Sequence, residues 1–393
     1  MTDLIARPAR RKFLPFSPPL VEEEEIREVV DTLRSPWITT GPKTKRFEEA
    51  FAASLGAPGA LALNSCTAAL HVALASLEIG AGDEVITTPM TFAATVNVIE
   101  HVGARPVLVD VEPDTLNIDP ERVAPAITPR TRAIMPVHYA GHPVECDAVD
   151  QLAQAHHLTM IEDAAHALPA QFRGRTIGAS PNPVAFSFYA TKNLTTAEGG
   201  MLTGDPEFLD RARILALHGM SRDAWKRYEQ GGSWRYEIVA PGFKYNLTDI
   251  ASAIGLWQLR KLGRFHARRV QIAEAYSAAF GGDAALEPPV TRAHVDHAWH
   301  LYVLRLRPGA LRIGRDQFID ELTHRNIGTS VHFIPVHVHP YYREKYGYTP
   351  HDFPVAFSNF ERLISLPLHP GLTDQDVADV IEAVLDVVQT HRR

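Results

Sequence analysis

Three short segments carry residue types that could do chemistry together. In the first, Asn64-Ser65-Cys66-Thr67-Ala68-Ala69-Leu70, small hydroxyl residues stand where a strand pattern ends and a helix pattern begins. A helix N-terminus offers unpaired N–H groups and about half a positive charge, so this segment reads either as a phosphate cup or as plain N-capping by Ser65 or Thr67. The second, Ile161-Glu162-Asp163-Ala164-Ala165-His166, closes a strand on a carboxylate with an imidazole three residues on. That pair could exchange protons, ligate a metal, face a cationic ring nitrogen or cap the next turn; no further ligands stand nearby at metal-binding spacing. The third, Phe186-Ser187-Phe188-Tyr189-Ala190-Thr191-Lys192-Asn193, ends an aromatic strand on a lysine, with Glu198-Gly199-Gly200 after it. Apolar walls and nearby cations lower a lysine pKa, and the neutral amine is a Schiff-base nucleophile; a snorkelling surface lysine is the plainer reading. Lys192 is the single lysine between Lys45 and Lys226, in a chain where only eight of 39 basic residues are lysine.

The three segments reinforce one another. Asp163 lies 29 residues before Lys192, and Ser187 five before it. Pyridoxal 5'-phosphate needs a cup for its phosphate, a lysine for its aldehyde and a carboxylate that keeps its ring nitrogen protonated.

The elements that must position these groups show a rhythm. Apolar runs at Ala60–Leu63, Glu84–Thr87, Arg105–Val109, Ala133–Val137 and Leu158–Ile161 alternate with helical patterns at Thr67–Leu77, Phe92–His101 and Asp147–His156. Alternation of this kind predicts right-handed crossovers and a largely parallel sheet, with the site at its strand ends. Val184–Phe188 and Met201–Leu202 read as further strands. Glu22 to Glu25 open an amphipathic helix as carboxylates favouring its N-terminus, Pro36 ends it, and Arg46 to Leu55 read as another. The pattern changes after Asn246. A long helix from Thr248 to about Phe280 is followed by a strand over Trp299–Leu306 and helices over Asp316–Arg325 and Asp374–Gln389. The expected division is a cofactor-binding unit over 1–260 and a smaller unit over 261–393.

With 393 residues, the chain is long enough to bury a core without disulfides or metals. A net charge of −7 weighs against a nucleic-acid-binding protein. No apolar run reaches membrane-spanning or signal-peptide length. The two cysteines, Cys66 and Cys146, fit a reducing cytoplasm. His332, His337 and His339 cluster but lack the partners and spacing of a metal site. The remaining histidines read as surface or structural residues.

Ordered motifs run along nearly the whole chain: PWITTGP from Pro36 to Pro42, NSCTAALH, GDEVITTPMTFAAT, DVEPDTLNIDP, PVHYAGHP, IEDAAHA, FSFYATKN, EGGM, GFKYNLTD, HAWHLY and SVHFIPVH. On these the sequence resembles the DegT/DnrJ/EryC1/StrS family of pyridoxal-phosphate-dependent nucleotide-sugar aminotransferases, of the aspartate aminotransferase-like fold type I. The resemblance implies an α/β fold: a large domain with a mixed, mostly parallel seven-stranded sheet and a smaller C-terminal α/β domain. It implies pyridoxal 5'-phosphate, cycling with pyridoxamine phosphate, as cofactor. Lys192 then matches the internal-aldimine lysine and proton-moving base, Asp163 the partner of the ring nitrogen, and Phe92 the aromatic stacked on the ring, with His166 beside it. Ser65, Thr67, Ala68 and Ser187 match the phosphate site. Asn246 matches a residue reaching the phosphate of a neighbouring subunit, which implies a homodimer with shared sites. Trp37, Thr39, His332 and Phe333 lie in segments similar to those lining the sugar-nucleotide pocket. The implied reaction moves an amino group from L-glutamate, leaving 2-oxoglutarate, to carbon 4 of a nucleotide-linked 4-keto-6-deoxy sugar. Amination at carbon 3 or of a cyclitol ketone is an alternative within enzymes. A non-catalytic pyridoxal-phosphate-binding sensor is the alternative from another class, and no nucleic-acid or membrane partner is expected.

Overall fold

The computed structural model describes residues 10–221 and 235–393. Lys226 lies outside them.

The large sheet is built from β1 (Ala60–Leu63), β2 (Glu84–Thr87), β3 (Arg105–Leu108), β4 (Thr131–Ile134), β5 (Thr159–Met160), β6 (Glu162–Asp163), β7 (Val184–Ser187) and β8 (Gly200–Thr203). Two four-stranded halves, β3-β2-β4-β5 and β1-β8-β7-β6, meet where β5 runs into β6. Ile161 bridges the two segments, its N–H donating to the Ile134 carbonyl at 2.9 Å, and Val137 pairs with Asp163 beyond it. Counting β5 and β6 as one strand gives a seven-stranded sheet in which β8 alone runs antiparallel to its neighbours.

The β-strands are short, and β1, β2 and β8 are buried along their whole length, as helical crossovers demand, while the edge strand β3 is partly exposed. On one face Phe186 and Phe188 pack against Phe47 and Phe51 of the helix Pro42–Leu55. The other packs Leu61, Leu63 and Val85 against the helices Cys66–Ser76 and Ala93–His101. Cys66–Ser76 is buried nearly all round because it also lies under the helix Pro206–Ala216.

The smaller C-terminal α/β part centres on an antiparallel sheet of Leu286–Glu287, Tyr302–Leu306 and Leu363–Leu366. Its core joins Phe318 and Leu322 to Val380, Val384 and Val387. The helix Asp249–Phe280 enters both cores, through Leu256 and Leu262 at one end and Ile272, Tyr276 and Phe280 at the other. Leu14 packs into the C-terminal core, where it pairs with Ile327.

Three local expectations are corrected and one is extended. The strand expected over Trp299–Leu306 starts at Tyr302, because Trp299 adopts a left-handed φ of 48°. The helix expected from Arg46 starts at Pro42, where the Asp249 carboxylate accepts the N–H groups of Gly41, Lys43 and Thr44 at 2.8, 3.0 and 2.8 Å. The strand expected to end at Ile161 continues to Asp163. Finally, the acidic run does more than complement a helix dipole: Glu25 is fully buried and bonds Lys261 at 2.6 Å and Gln258 at 2.9 Å. This fastens the N-terminal helix Glu23–Arg34 to the long helix.

Candidate active site

The C-terminal ends of β1, β2, β6 and β7 open onto one cavity of about 480 Å³. Strand ends are where parallel sheets build sites, because crossover loops and helix N-termini gather there. Ser65, Thr67, Phe92, Asp163, His166, Ser187, Lys192, His332 and Phe333 all line this cavity.

The register explains how segments so far apart in sequence meet. Gly200 in β8 pairs with Leu63 on one side and Ser187 on the other. It therefore sets the start of the helix Cys66–Ser76 beside the end of β7. Ser65 is that helix's N-cap, with Oγ accepting the Ala68 N–H at 3.0 Å. The first-turn N–H groups of Cys66 and Thr67 have no partner within the helix and stand at its positive end.

Asp163 is 5% exposed. Its Oδ2 accepts the Thr95 hydroxyl at 2.7 Å and its Oδ1 the Ala165 N–H at 3.1 Å. Burial raises its pKa, opposed by those bonds and by Lys192. Burial likewise lowers the Lys192 amine to about 8, so a useful fraction is uncharged near neutral pH. His166 is held well below its ordinary value by burial and then by Lys192. It lies nearly parallel to Phe333, with ring centres 5.7 Å apart. Phe92 is 64% exposed at the mouth. His332 bonds Ser365 through Nδ1 at 2.8 Å, its carbonyl accepts the Tyr139 hydroxyl, and burial lowers it to about 4.

Four expected contacts are not gathered into this cavity. The Ala68 N–H is taken by Ser65. Asn246 is bonded to Lys244 and to Thr40, at 2.5 and 2.6 Å. Trp37 donates to the Thr40 carbonyl at 2.6 Å, and the Thr39 carbonyl accepts the Asp249 N–H at 2.9 Å. Trp37 and Thr39 lie on one segment and Asn246, which bridges Leu63, on another; none of the three lines the cavity of the single chain.

The sequence reading missed Thr95 and His300. Both lie in quoted motifs, MTFAAT and HAWHLY, but carried no periodicity that marked them. The reading of His300 as surface or structural is corrected: it lines the cavity, with Nε2 3.5 Å from the Lys192 amine.

Among the described residues, His138, Cys146 and Glu162 bring potential metal-ligand atoms within 4.8 Å of one another. Glu162 and Asp163 are adjacent in β6, so their side chains leave opposite faces of the sheet. His138 Nδ1 accepts the Val144 N–H at 3.1 Å. The ring proton therefore sits on Nε2 and is donated to Glu162 at 3.0 Å. A metal would need that same nitrogen's lone pair. The arrangement fits a buried hydrogen-bonded pair rather than a metal centre.

The model of the DegT/DnrJ/EryC1/StrS aminotransferase family matches residues 19–385. The chain belongs to this family. It is 53% identical over 384 residues to MJ1066 of Methanocaldococcus jannaschii, covering 98% of this chain and 100% of that one. It is 51% identical over 382 residues to the spore coat polysaccharide biosynthesis protein SpsC of Bacillus subtilis, covering 97% and 98%. Among solved structures, the PMP-form of Spr1654 from Streptococcus pneumoniae superposes with a TM-score of 0.91 at 39% identity, covering 96% of this chain and 99% of that one. The same protein is solved in a PLP-form.

The residues present fit that cofactor. The cavity is of ligand size. It sets a depressed lysine, a buried carboxylate and a helix N-terminus around one space. The Nδ1 of His166 is buried in its wall without a hydrogen-bond partner. A Cβ on Gly200 would stand 2.5 to 2.6 Å from Ser65 and Cys66 backbone atoms, so only glycine lets the cup approach β8. Family membership and this fit together make the protein a pyridoxal-phosphate-dependent aminotransferase.

Proposed function

We propose that the protein transfers the amino group of L-glutamate to carbon 4 of a nucleotide-linked 4-keto-6-deoxy sugar. The observation that carries the chemistry is that Lys192 and Asp163 line one cavity with the N-terminus of the helix Cys66–Ser76. Kinship with a polysaccharide biosynthesis protein supports the sugar substrate, as do the motifs IEDAAHA and YATKN.

When bound, the cofactor supplies an aldehyde for amine exchange and a ring that takes up electrons from the reacting carbon. Lys192 would hold it covalently, then act as the proton-moving group once released, because burial leaves a fraction of its amine uncharged near neutral pH. Asp163 would keep a proton on the ring nitrogen, and its bond from Thr95 fixes the carboxylate for that task. Ser65, Thr67 and Ser187 would bind the phosphate. Ala68 would stiffen that cup through its bond to Ser65. Phe92 would cover the ring from the mouth and His166 would lie beside it. His332 and Phe333 would border the sugar.

A second copy of the chain would complete the site. Ile26, Val30 and Leu33, at helical spacing on the N-terminal helix, are exposed together with Ile38 and Phe92. Trp37, Thr39 and Asn246 would then serve the neighbour's cavity. We place the division between the two units near residue 260, inside the helix that enters both cores.

The test is incubation with L-glutamate and matched UDP-, dTDP- and GDP-4-keto-6-deoxy sugars, with products solved by NMR. An amine at carbon 4 is expected; an amine at carbon 3 or no sugar product would refute the substrate assignment. Lys192→Ala should lose turnover while keeping its melting temperature.

A further inference from the structure

We propose that His300 is a positioning residue for the Lys192 amine: a neutral imidazole whose Nε2 accepts an N–H from Nζ and so sets where the amine's lone pair points. This rests on the reading of Lys192 as the working lysine. Nε2 stands 3.5 Å from Nζ, at the outer edge of a hydrogen bond that can shorten as the long side chain moves.

The tautomer follows from a chain of bonds. Asn193, next to Lys192, donates from Nδ2 to the carbonyls of Leu168 and Ala298, both at 2.8 Å. Its amide is thereby oriented, and Oδ1 must accept. It accepts from His300 Nδ1 at 3.1 Å. With the proton on Nδ1, a neutral ring presents the Nε2 lone pair to the amine. The ring is neutral because it is 5% exposed and ringed by cations or their precursors. Lys192, His166 and His332 face it from the cavity, and Arg269 lies behind; after burial, these charges hold its pKa well down.

The backbone under His300 is held in place at some cost. Trp299 adopts φ 48°, a conformation that a bulky residue keeps only when its surroundings impose it. The Trp299 N–H donates to His297 Nδ1 at 2.8 Å, and the two rings stack with centres 4.0 Å apart. Buried Arg269 donates to the carbonyls of Trp299, His300 and Leu368 at 3.2, 3.4 and 2.7 Å. The His300 N–H reaches the Ala140 carbonyl at 3.1 Å, across Gly141, where a Cβ would meet that nitrogen at 3.1 Å and the His166 carbonyl at 2.9 Å.

The function of this scaffold is orientational. An amine on four methylenes rotates freely; one N–H held by His300 restricts that rotation, so that the lone pair faces the substrate side of the cavity. A protonated imidazole would instead repel an ammonium.

The tautomer is read on the unmutated full chain by nitrogen-15 shifts of the His300 ring, assigned with His300→Gln. Pyridine-type Nε2 and pyrrole-type Nδ1 are expected; the reverse would overturn the proposal. The amine is read by pH-dependent labelling of Lys192 in the cofactor-free chain, followed by mass spectrometry. His300→Leu removes an acceptor that favours the ammonium, so the midpoint should fall below the wild-type value of about 8. A fall of one unit would mean about fivefold more label at pH 7. His300→Gln, which can offer an oxygen at the place of Nε2, should restore the wild-type curve. In the holoenzyme, kcat should fall in the leucine variant with KM little changed. Superposed labelling curves for wild type and His300→Leu, or a folded glutamine variant that behaves like leucine, would overturn the proposal. A wild-type holoenzyme without transfer activity would strike at the function proposed above, since tautomer and labelling are read without turnover.

Discussion

Gly200→Ala tests both the fold and the site. The added Cβ would lie 2.5 Å from the Ser65 carbonyl carbon and 2.6 Å from the Cys66 nitrogen and Ser65 oxygen. Ordinary contact begins near 3.4 Å, so the overlap is about 0.9 Å. All three atoms are backbone, and none can rotate away. Overpacking of this kind costs about 1–3 kcal/mol, and the rigidity of the neighbours argues for the upper end. At about 2.1 cal/mol/K per residue, a chain of this length has an unfolding entropy near 0.8 kcal/mol/K, so 3 kcal/mol lowers the melting temperature by roughly 3–4 °C. Relief of the overlap would push the start of the helix Cys66–Ser76 away from β7. The phosphate cup would widen, and losing one charge-assisted hydrogen bond costs about 2 kcal/mol. Pyridoxal phosphate should then bind about 30-fold more weakly. Thermal melts and a cofactor titration read both quantities. Gly263→Ala is the control: it sits in the long helix with no neighbour within 4 Å of its added Cβ and should be neutral or slightly stabilising. A Gly200→Ala protein melting within 1 °C of wild type, with cofactor affinity within about twofold, would refute the close-approach argument.

Three further outcomes follow from the geometry. In the cofactor-free chain, Asp163→Asn should not destabilise at neutral pH, because burial raises the carboxyl's folded pKa and makes its charge unfavourable there. That advantage should vanish as pH falls below the unfolded carboxylate value, while cofactor affinity drops and turnover falls by about 10²–10³-fold; intact turnover would contradict the role. Asp249→Ala should lower the melting temperature by roughly 3–4 °C, because three N–H groups at the start of Pro42–Leu55 lose their acceptor. An unchanged melt would show that water replaces the carboxylate. Burial holds His142, His332 and His369 at about 4, below the unfolded value. The unfolded chain therefore binds more protons below about pH 6.5, and each residue should withdraw about 2 kcal/mol of stability by pH 5. A melting temperature flat from pH 7 to 5 would refute this.

Much of the lining of the candidate site was legible because each part is local. Ser65 and Thr67 follow a strand, Asp163 ends one, and Lys192 follows another. Strand ends of a parallel sheet point the same way, so recognising the alternation already aligned these groups. His300 was not legible. Its role depends on an amide oriented by two distant carbonyls and on a left-handed tryptophan, which leave no mark on hydrophobic period. The burial of Glu25 was hidden for a similar reason: the run marks a helix N-terminus, as found, but Lys261 and Gln258 arrive from 236 and 233 residues away.

By itself, the sequence determined the fold class, the family motifs and the residue types able to do the chemistry, since these follow from short-range pattern and composition. Only the tertiary structure decided the lysine's depressed pKa and the closeness of the helix to β7 across Gly200. It also separated Asp163 from Glu162, placing one in the cavity and the other against His138. The physical reason is that burial and hydrogen-bond direction depend on what packs from elsewhere in the chain, and neighbours in sequence do not specify it.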